Sequence, residues 1–290
     1  MRKIIKIIYE LIPLKKQIFV ALKKVYTPNQ SVYKHFNFTG VIDLKLNEEK
    51  SFKMKHYGFE LENELFWNGV QGGWEKVSLG LWIKLCKKSN LVFDIGANTG
   101  IYSLISKTIN KDAEVYAFEP VRRVFEKLEL NNAINGYNIK CLELAASNYN
   151  GTAVIYDTPT PHIYSVTVNK NLDDTRATIE TKIETTTLDS IIEKHHISKV
   201  DLVKIDVETH EAEVLEGFQK HLKKFTPTIL IEILNDEVGM KVEKIVAGMN
   251  YLYFNIDERN GIRKVDKITK SDFYNYLLCS ADTAKELNLI

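Results

Sequence analysis

The sequence predicts an α/β fold: a mostly parallel sheet covered by helices on both faces, preceded by a helix and hairpin extension. Three observations point there. From about Trp74 onward, short branched apolar runs alternate with stretches whose apolar residues recur at helical spacing. The run Leu91 to Phe93 leads through Asp94 into a turn holding Gly96, Asn98 and Gly100, a strand, turn and helix order that brings backbone close to a bound nucleotide. Acids then stand where strands stop, at Asp94, Glu119 and Asp206, the edge at which doubly wound sheets bind ligands.

The 290 residues, 44% hydrophobic and 27% charged, suit one large globular domain with an attachment, divided here into residues 1–70 and 71–290. Lys and Arg number 39 against 38 Asp and Glu, and the net charge of +1 exerts no global pull on nucleic acid. Cys86, Cys141 and Cys279 are odd in number, widely spaced and set among apolar residues. They read as reduced thiols of a cytoplasmic protein, not as a disulfide framework or a zinc pair.

Residues 1–25 carry Lys or Arg at 2, 3, 6, 15, 16, 23 and 24 against Glu10 alone. The charges cut every apolar run short of the roughly 20 residues a membrane span needs. Pro13 and the lack of a small-residue cleavage site argue against a signal peptide. Two readings stay open: a basic amphipathic helix lying peripherally on the anionic inner surface of a membrane, or a helix packing its Ile and Leu face on protein. Val41 to Tyr57 alternates in period two around Asn47-Glu48-Glu49 and reads as a hairpin. The patch of Phe66, Trp67, Gly69, Gly72, Gly73 and Trp74 reads as a loop, covering a flat ligand or pinned to the core by its tryptophans. A helix from about Trp74 to Lys88 follows.

After the glycine turn, Ile101, Leu104, Ile105 and Ile109 mark a helix. Glu114 to Phe118 is the next strand, and Pro120 opens a helix running to about Asn132. Glu119 therefore sits at a strand tip, where an acid accepts both ribose hydroxyls; a helix-dipole role is the plainer alternative. Ile139 to Leu144 and Thr152 to Asp157 read as strands joined through Ala145-Ala146-Ser147 and Asn150-Gly151. Residues 158–177 read as a polar loop over a substrate. Thr178 to Thr187 is a strand and Leu188 to His195 a helix whose end exposes His195-His196. Val200 to Ile205 is a buried strand ending at Asp206, followed by a helix with Thr209 as N-cap, Glu211 and Glu213 in its first turn and Val214, Leu215 and Phe218 inside. Asp206, Glu208 and His210 should gather at the edge that holds Asp94 and Glu119. Pro227 to Ile233, with Glu232 near its end, is another central strand. Met249 to Ile256 and Phe273 to Ser280 close the sheet around a hairpin at Arg259-Asn260-Gly261.

The run Asp94 to Gly100, then Ala117-Phe118-Glu119-Pro120, then Lys204 to Glu211, resembles the FkbM family of S-adenosylmethionine-dependent methyltransferases over about residues 70–255. One departure is Thr209, where the family usually has glycine. The resemblance implies a Rossmann-like class I methyltransferase fold with a seven-stranded sheet. It implies S-adenosylmethionine held by Asp94, Gly96, Asn98, Gly100, Glu119, Ala145 and Asp206, and O-methylation of a hydroxyl on a sugar, glycan or glycosylated metabolite. The chemistry agrees. The methyl donor has no pyrophosphate for a G-x-G-x-x-G loop to approach; it has an ammonium that Asp94 can receive and a carboxylate for backbone N–H groups near Gly96. A sugar hydroxyl has a high pKa and needs a base or a metal ion. His210 is the candidate base, with Asp206 and Glu208 beside it as catalytic acids; hydrogen bonding to neighbouring carboxylates is the other role open to His210. A divalent cation held by Asp206, Glu208 and Glu232 is the less favoured route. The acceptor is expected between the 67–74 patch, the 158–177 loop and His210. The competing classes are a nicotinamide-dependent oxidoreductase, disfavoured by Asn98 and the missing third glycine, and a non-catalytic membrane-docked module. No Asn-Pro-Pro-aromatic motif follows Asp206, which argues against base methylation.

Overall fold

The computed structural model of the chain describes residues 9, 12–157 and 179–290. The chain divides into two compact units, residues 1–73 and 74–290. In the first, α1 (Lys15–Lys23) and α2 (Gln30–Tyr33) precede the hairpin of β1 (Gly40–Lys45) and β2 (Ser51–His56), and α3 (Glu60–Asn68) follows. The hairpin is antiparallel, with Leu44 opposite Phe52 and Ile42 opposite Met54, all buried. Asn47 turns it by accepting the N–H groups of Glu49 and Lys50 at 2.9 and 2.7 Å. Phe19 of α1 stacks on Phe36 at 5.3 Å and meets Trp67 edge-on at 5.8 Å. Here the structure corrects a sequence expectation: Phe66 and Trp67 belong to helix α3, which Gly69 ends at φ 76°, and not to a loop. Trp67 is buried and Trp74 is 42% exposed, so the two tryptophans do not pin one loop.

The second unit is built on an eight-stranded sheet of order β12-β11-β13-β10-β9-β3-β4-β5. Its strands are β3 (Leu91–Ile95), β4 (Glu114–Phe118), β5 (Lys140–Leu142), β9 (Leu202–Ile205), β10 (Thr228–Glu232), β11 (Leu252–Asp257), β12 (Gly261–Val265) and β13 (Asn275–Cys279). Strands β5, β4, β3, β9 and β10 are parallel, and β13 enters antiparallel between β10 and β11. The expected class holds with one strand more than expected. The turn at Arg259-Asn260-Gly261 returns the chain as β12 along β11, so the hairpin supplies an edge strand.

The stretch read as a strand from Ile139 to Leu144 stops at Leu142. Ala145–Ala146 (β6) leaves the main sheet and pairs with β8 (Ile179–Thr186), which also pairs with β7 (Gly151–Asp157), giving a separate three-stranded sheet. Residues 158–177, expected to form a loop, lie outside the described residues.

The helices are α4 (Lys76–Cys86), α5 (Ile101–Ile109), α6 (Arg122–Ile134), α7 (Leu188–Lys194), α8 (Glu211–Glu216), α9 (Gln219–Phe225), α10 (Asp236–Val246) and α11 (Ala281–Glu286). On one face of the sheet Phe93, Ile95, Tyr116, Phe118, Val203 and Ile205 pack in one core with Leu188, Ile191, Val214, Leu215 and Phe218 from α7, α8 and the residue before α9. On the other face lie α4 and α5, joined by Trp82, whose Nε1 donates to the Tyr102 carbonyl and to Ser106 Oγ, both at 3.0 Å. All three cysteines are free, Cys86 and Cys279 buried.

Candidate functional site

Side chains alternate across a strand, so register decides which acids meet. Asp94 of β3 is the register partner of Lys204 of β9 and of Ala117 of β4. Two residues further along each strand, on the same face, stand Gly96, Asp206 and Glu119. Ile205 pairs with Ile231, so Glu232 ends β10 level with Asp206, and Asn275 of β13 is the partner of Glu232. A polar stripe thus crosses the ends of five strands on the face covered by α4 and α5.

The glycine turn at this edge is tightly constrained. Gly96 has φ 76°, and a Cβ there would lie 1.8 Å from the Asp206 carbonyl oxygen; at Gly100, φ 94°, it would lie 2.6 Å from Leu128 Cδ1. Only glycine fits at Gly96, and at Gly100 the left-handed φ favours it. Asn98, at φ 52°, accepts the Thr99 N–H at 2.8 Å, and Asn131 of α6 donates to the Thr99 carbonyl at 2.9 Å. The expected role of the N–H groups near Gly96 needs correction. Gly96 and Ala97 both donate to the Phe118 carbonyl, Asn98 to Glu119 Oε2 and Gly100 to the Ala97 carbonyl. The turn spends its donors on holding itself against β4. The N–H groups left without an acceptor among the described residues are those of Ile101 and Tyr102, in the first turn of α5.

Asp94 is buried and accepts the Ser103 N–H at 3.0 Å and its hydroxyl at 2.6 Å through Oδ2; burial pushes its carboxyl up to about 6. Glu119 accepts Asn98 N–H at 3.0 Å through one oxygen and Val121 N–H at 2.9 Å through the other. It therefore serves the start of α6 while each oxygen keeps a further lone pair. Burial pushes it up to about 7. Asp206 receives Lys204 Nζ at 3.2 Å. Glu208 is pushed up to about 7, by burial first and then by the charge of Asp206. Burial and Asp206 also push Glu232 up, outweighing Lys204.

The turn after β9 differs from expectation. Thr209 is not the N-cap: Glu208 and Thr209 both adopt positive φ, 54° and 81°, and the N-cap of α8 is His210, whose side chain makes no capping bond. The buried Glu211 replaces it, accepting the N–H groups of Val207 and Thr209 at 3.2 Å each. His210 is turned toward the small sheet. Its Nε2 is 3.0 Å from Ser147 Oγ and its Nδ1 3.6 Å from Glu213, and burial lowers its pKa, which keeps the ring neutral. Among the described residues no hydrogen bond or ion pair joins it to Asp94, Glu119 or Asp206. Ala145, expected at the cofactor, lies in β6 against Val121 and Val124, just beyond Glu119.

Two members of the site escaped the sequence reading. Lys204 is fully buried beside Asp206, and Glu75, just before α4, accepts Tyr102 Oη at 3.0 Å and Asn275 Nδ2 at 2.9 Å. A lysine inside the apolar run Leu202 to Ile205 was the available signal, since a buried charge demands partners. Asp206 and Glu232, offered as cation ligands with Glu208, are in the structure companions of that lysine. Among the described residues no group of three or more His, Cys, Asp or Glu is arranged to hold a metal ion.

A parallel sheet with a glycine turn and acids at its strand tips defines an α/β protein of the nucleotide-cofactor class. Residues 94–260, more than half of the chain, match the model of the methyltransferase FkbM domain, and the chain belongs to that family. It is 27% identical over 159 residues to the hexuronic acid methyltransferase AglP of Haloferax volcanii, covering 55% of this chain and 62% of that protein. It is 25% identical over 170 residues to the methyltransferase sdnD of Sordaria araneosa, covering 49% and 65%. The matches therefore span less than two thirds of the length of either curated relative. Among solved structures, a methyltransferase FkbM from Methylobacillus flagellatus is similar with TM-score 0.43 and 15% identity, over 66% of this chain and 43% of that one.

Proposed function

We propose that the chain is an S-adenosylmethionine-dependent O-methyltransferase whose acceptor is a hydroxyl of a sugar, a glycan or a glycosylated metabolite, with residues 71–290 as the catalytic domain. The observation that carries it is the stripe of Asp94, Glu119 and Asp206 beside the Gly96 turn, inside the FkbM domain. The site fits the donor's groups. The donor is a cation with a ribose, and the edge offers carboxylates, of which Glu119 retains lone pairs for ribose hydroxyls and Asp94 and Asp206 suit an ammonium. The free N–H groups of Ile101 and Tyr102, at a helix N-terminus, suit its carboxylate.

The donor brings a methyl group on a sulfonium, open to in-line displacement. The chain's task is to align the acceptor and take up its proton. His210, neutral and hydrogen-bonded to Ser147, is the base in this reading, with Asp206 and Glu208 on the neighbouring turn. The name of the Haloferax relative supports a sugar acid as acceptor.

Calorimetry with S-adenosylmethionine and with NAD tests the reading: the chain should bind the first in preference, and preference for NAD overturns it. Methyl transfer from labelled donor to a uronic acid glycoside tests the acceptor. His210→Ala should lower turnover by about 100-fold or more with donor affinity kept, and unchanged turnover removes the base role.

A second proposal concerns residues 1–25, where Leu14, Ile18, Val20 and Val25 are exposed around the lysines of α1. This composition supports a peripheral contact with an anionic membrane surface.

A further inference from the structure

Strand β9 is apolar and buried throughout except for one charge. Lys204 is 1% exposed, between Val203 and Ile205. An ammonium in such a place is costly unless paired, and removing one partner of a buried pair is costlier still. Its Nζ donates to Asp206 Oδ2 at 3.2 Å and lies 5.1 Å from the centre of the Tyr102 ring. Burial alone lowers its pKa, but Asp206, Glu75 and Glu232 together outweigh burial and the net direction is upward, so the group is a cation.

Its surroundings are unequal. Glu75 is locked from both sides by Tyr102 and Asn275. Asp206 reaches outward: its side chain is 33% exposed at the strand tip, with its Oδ2 turned back to the lysine. Without that cation, nothing would hold the Asp206 carboxylate among the neighbouring Glu232, Glu208 and Glu75, and it would turn away.

We infer that Lys204 is a positioning residue of the sheet-edge site, acting through Asp206: the buried ammonium fixes the orientation of the carboxylate that a ligand meets at the tip of β9. The inference rests on the methyltransferase reading, which supplies that ligand. A lysine serving the fold alone makes a different prediction, because its replacement would change stability without changing affinity in a manner that depends on Asp206.

A double-mutant cycle on the full chain separates the two, with S-adenosylmethionine as the titrant in calorimetry and thermal unfolding measured in parallel. Lys204→Met and Asp206→Asn should each weaken donor binding about tenfold or more. The double variant should be no more than about threefold weaker than Asp206→Asn, and Lys204→Arg should recover part of the loss. Additive losses, or wild-type affinity in Lys204→Met, overturn the inference and leave the methyltransferase reading standing, because the unaltered chain still binds the donor. If the unaltered chain does not bind the donor, both fall. Where Lys204→Met does not fold, the cycle is run with Lys204→Gln, and additive losses there are equally decisive against it.

Discussion

Three single positions carry sharp expectations. Gly96 combines a left-handed backbone with a Cβ path that ends 1.8 Å from the Asp206 carbonyl. Gly96→Ala should therefore cost roughly 3 kcal/mol or more, from strain and from forced separation of β3 and β9, read as a lower urea midpoint. Thr209 is the converse case, a β-branched residue held at φ 81° by the hydrogen bond its N–H makes to Glu211. Thr209→Gly relieves the strain at some entropic cost and should stabilise the chain by up to about 1 kcal/mol; a lower midpoint would show that the threonine side chain earns its place. Glu119 gives a pH test. Burial raises its carboxyl from 4.5 to about 7, so the folded state holds a proton that the unfolded state has released. Its stabilising contribution is complete below 4.5 and is lost as pH rises through about 7. Relative to Glu119→Gln, the unaltered chain should lose stability between about pH 5 and about pH 8. An equal difference in urea midpoint at both values would refute the shift.

At the scale of elements, what could be read from sequence was what neighbours in the chain decide. Helix α5 shows in the spacing of Ile101, Leu104, Ile105 and Ile109, and the strand ends show in Asp94, Glu119 and Asp206, because periodicity and termination are local. Pairing is not. The departure of Ala145–Ala146 into a small sheet and the meeting of Lys204 with Glu75 depend on residues tens to more than a hundred positions apart. The start of α4 shows the same limit. No side chain next to it makes a capping bond; Glu258, from the turn between β11 and β12, accepts the N–H groups of Val77 at 2.6 Å and Ser78 at 3.1 Å and the Ser78 hydroxyl. The acid also complements the positive end of the helix. Glu258→Ala should cost about 1–2 kcal/mol, measured by thermal unfolding, although the residue lies 180 positions from those it caps. A melting temperature equal to that of the unaltered chain would mean that water caps the helix as well.

For the whole molecule, charge is nearly balanced, at net +1, but unevenly placed: residues 1–25 hold seven basic side chains against Glu10. Among the described residues no helix is long and apolar enough to cross a membrane. The proposed membrane contact through residues 1–25 is of the surface kind because charges cut every apolar run there short of a span, and its strength follows from simple terms. Each basic side chain near an anionic surface contributes about 1 kcal/mol, a field that decays within about 8 Å at physiological salt. Exposed Leu14, Ile18, Val20 and Val25 add a modest apolar term. The sum predicts reversible binding that needs both anionic lipid and low salt. The full chain should sediment with phosphatidylserine-rich vesicles, less with phosphatidylcholine alone, and less again as salt rises, while a chain lacking residues 1–25 should stay in the supernatant. Equal sedimentation of the two chains would remove the membrane reading and leave the apolar side chains of α1 to a protein partner or to the packing of this chain itself.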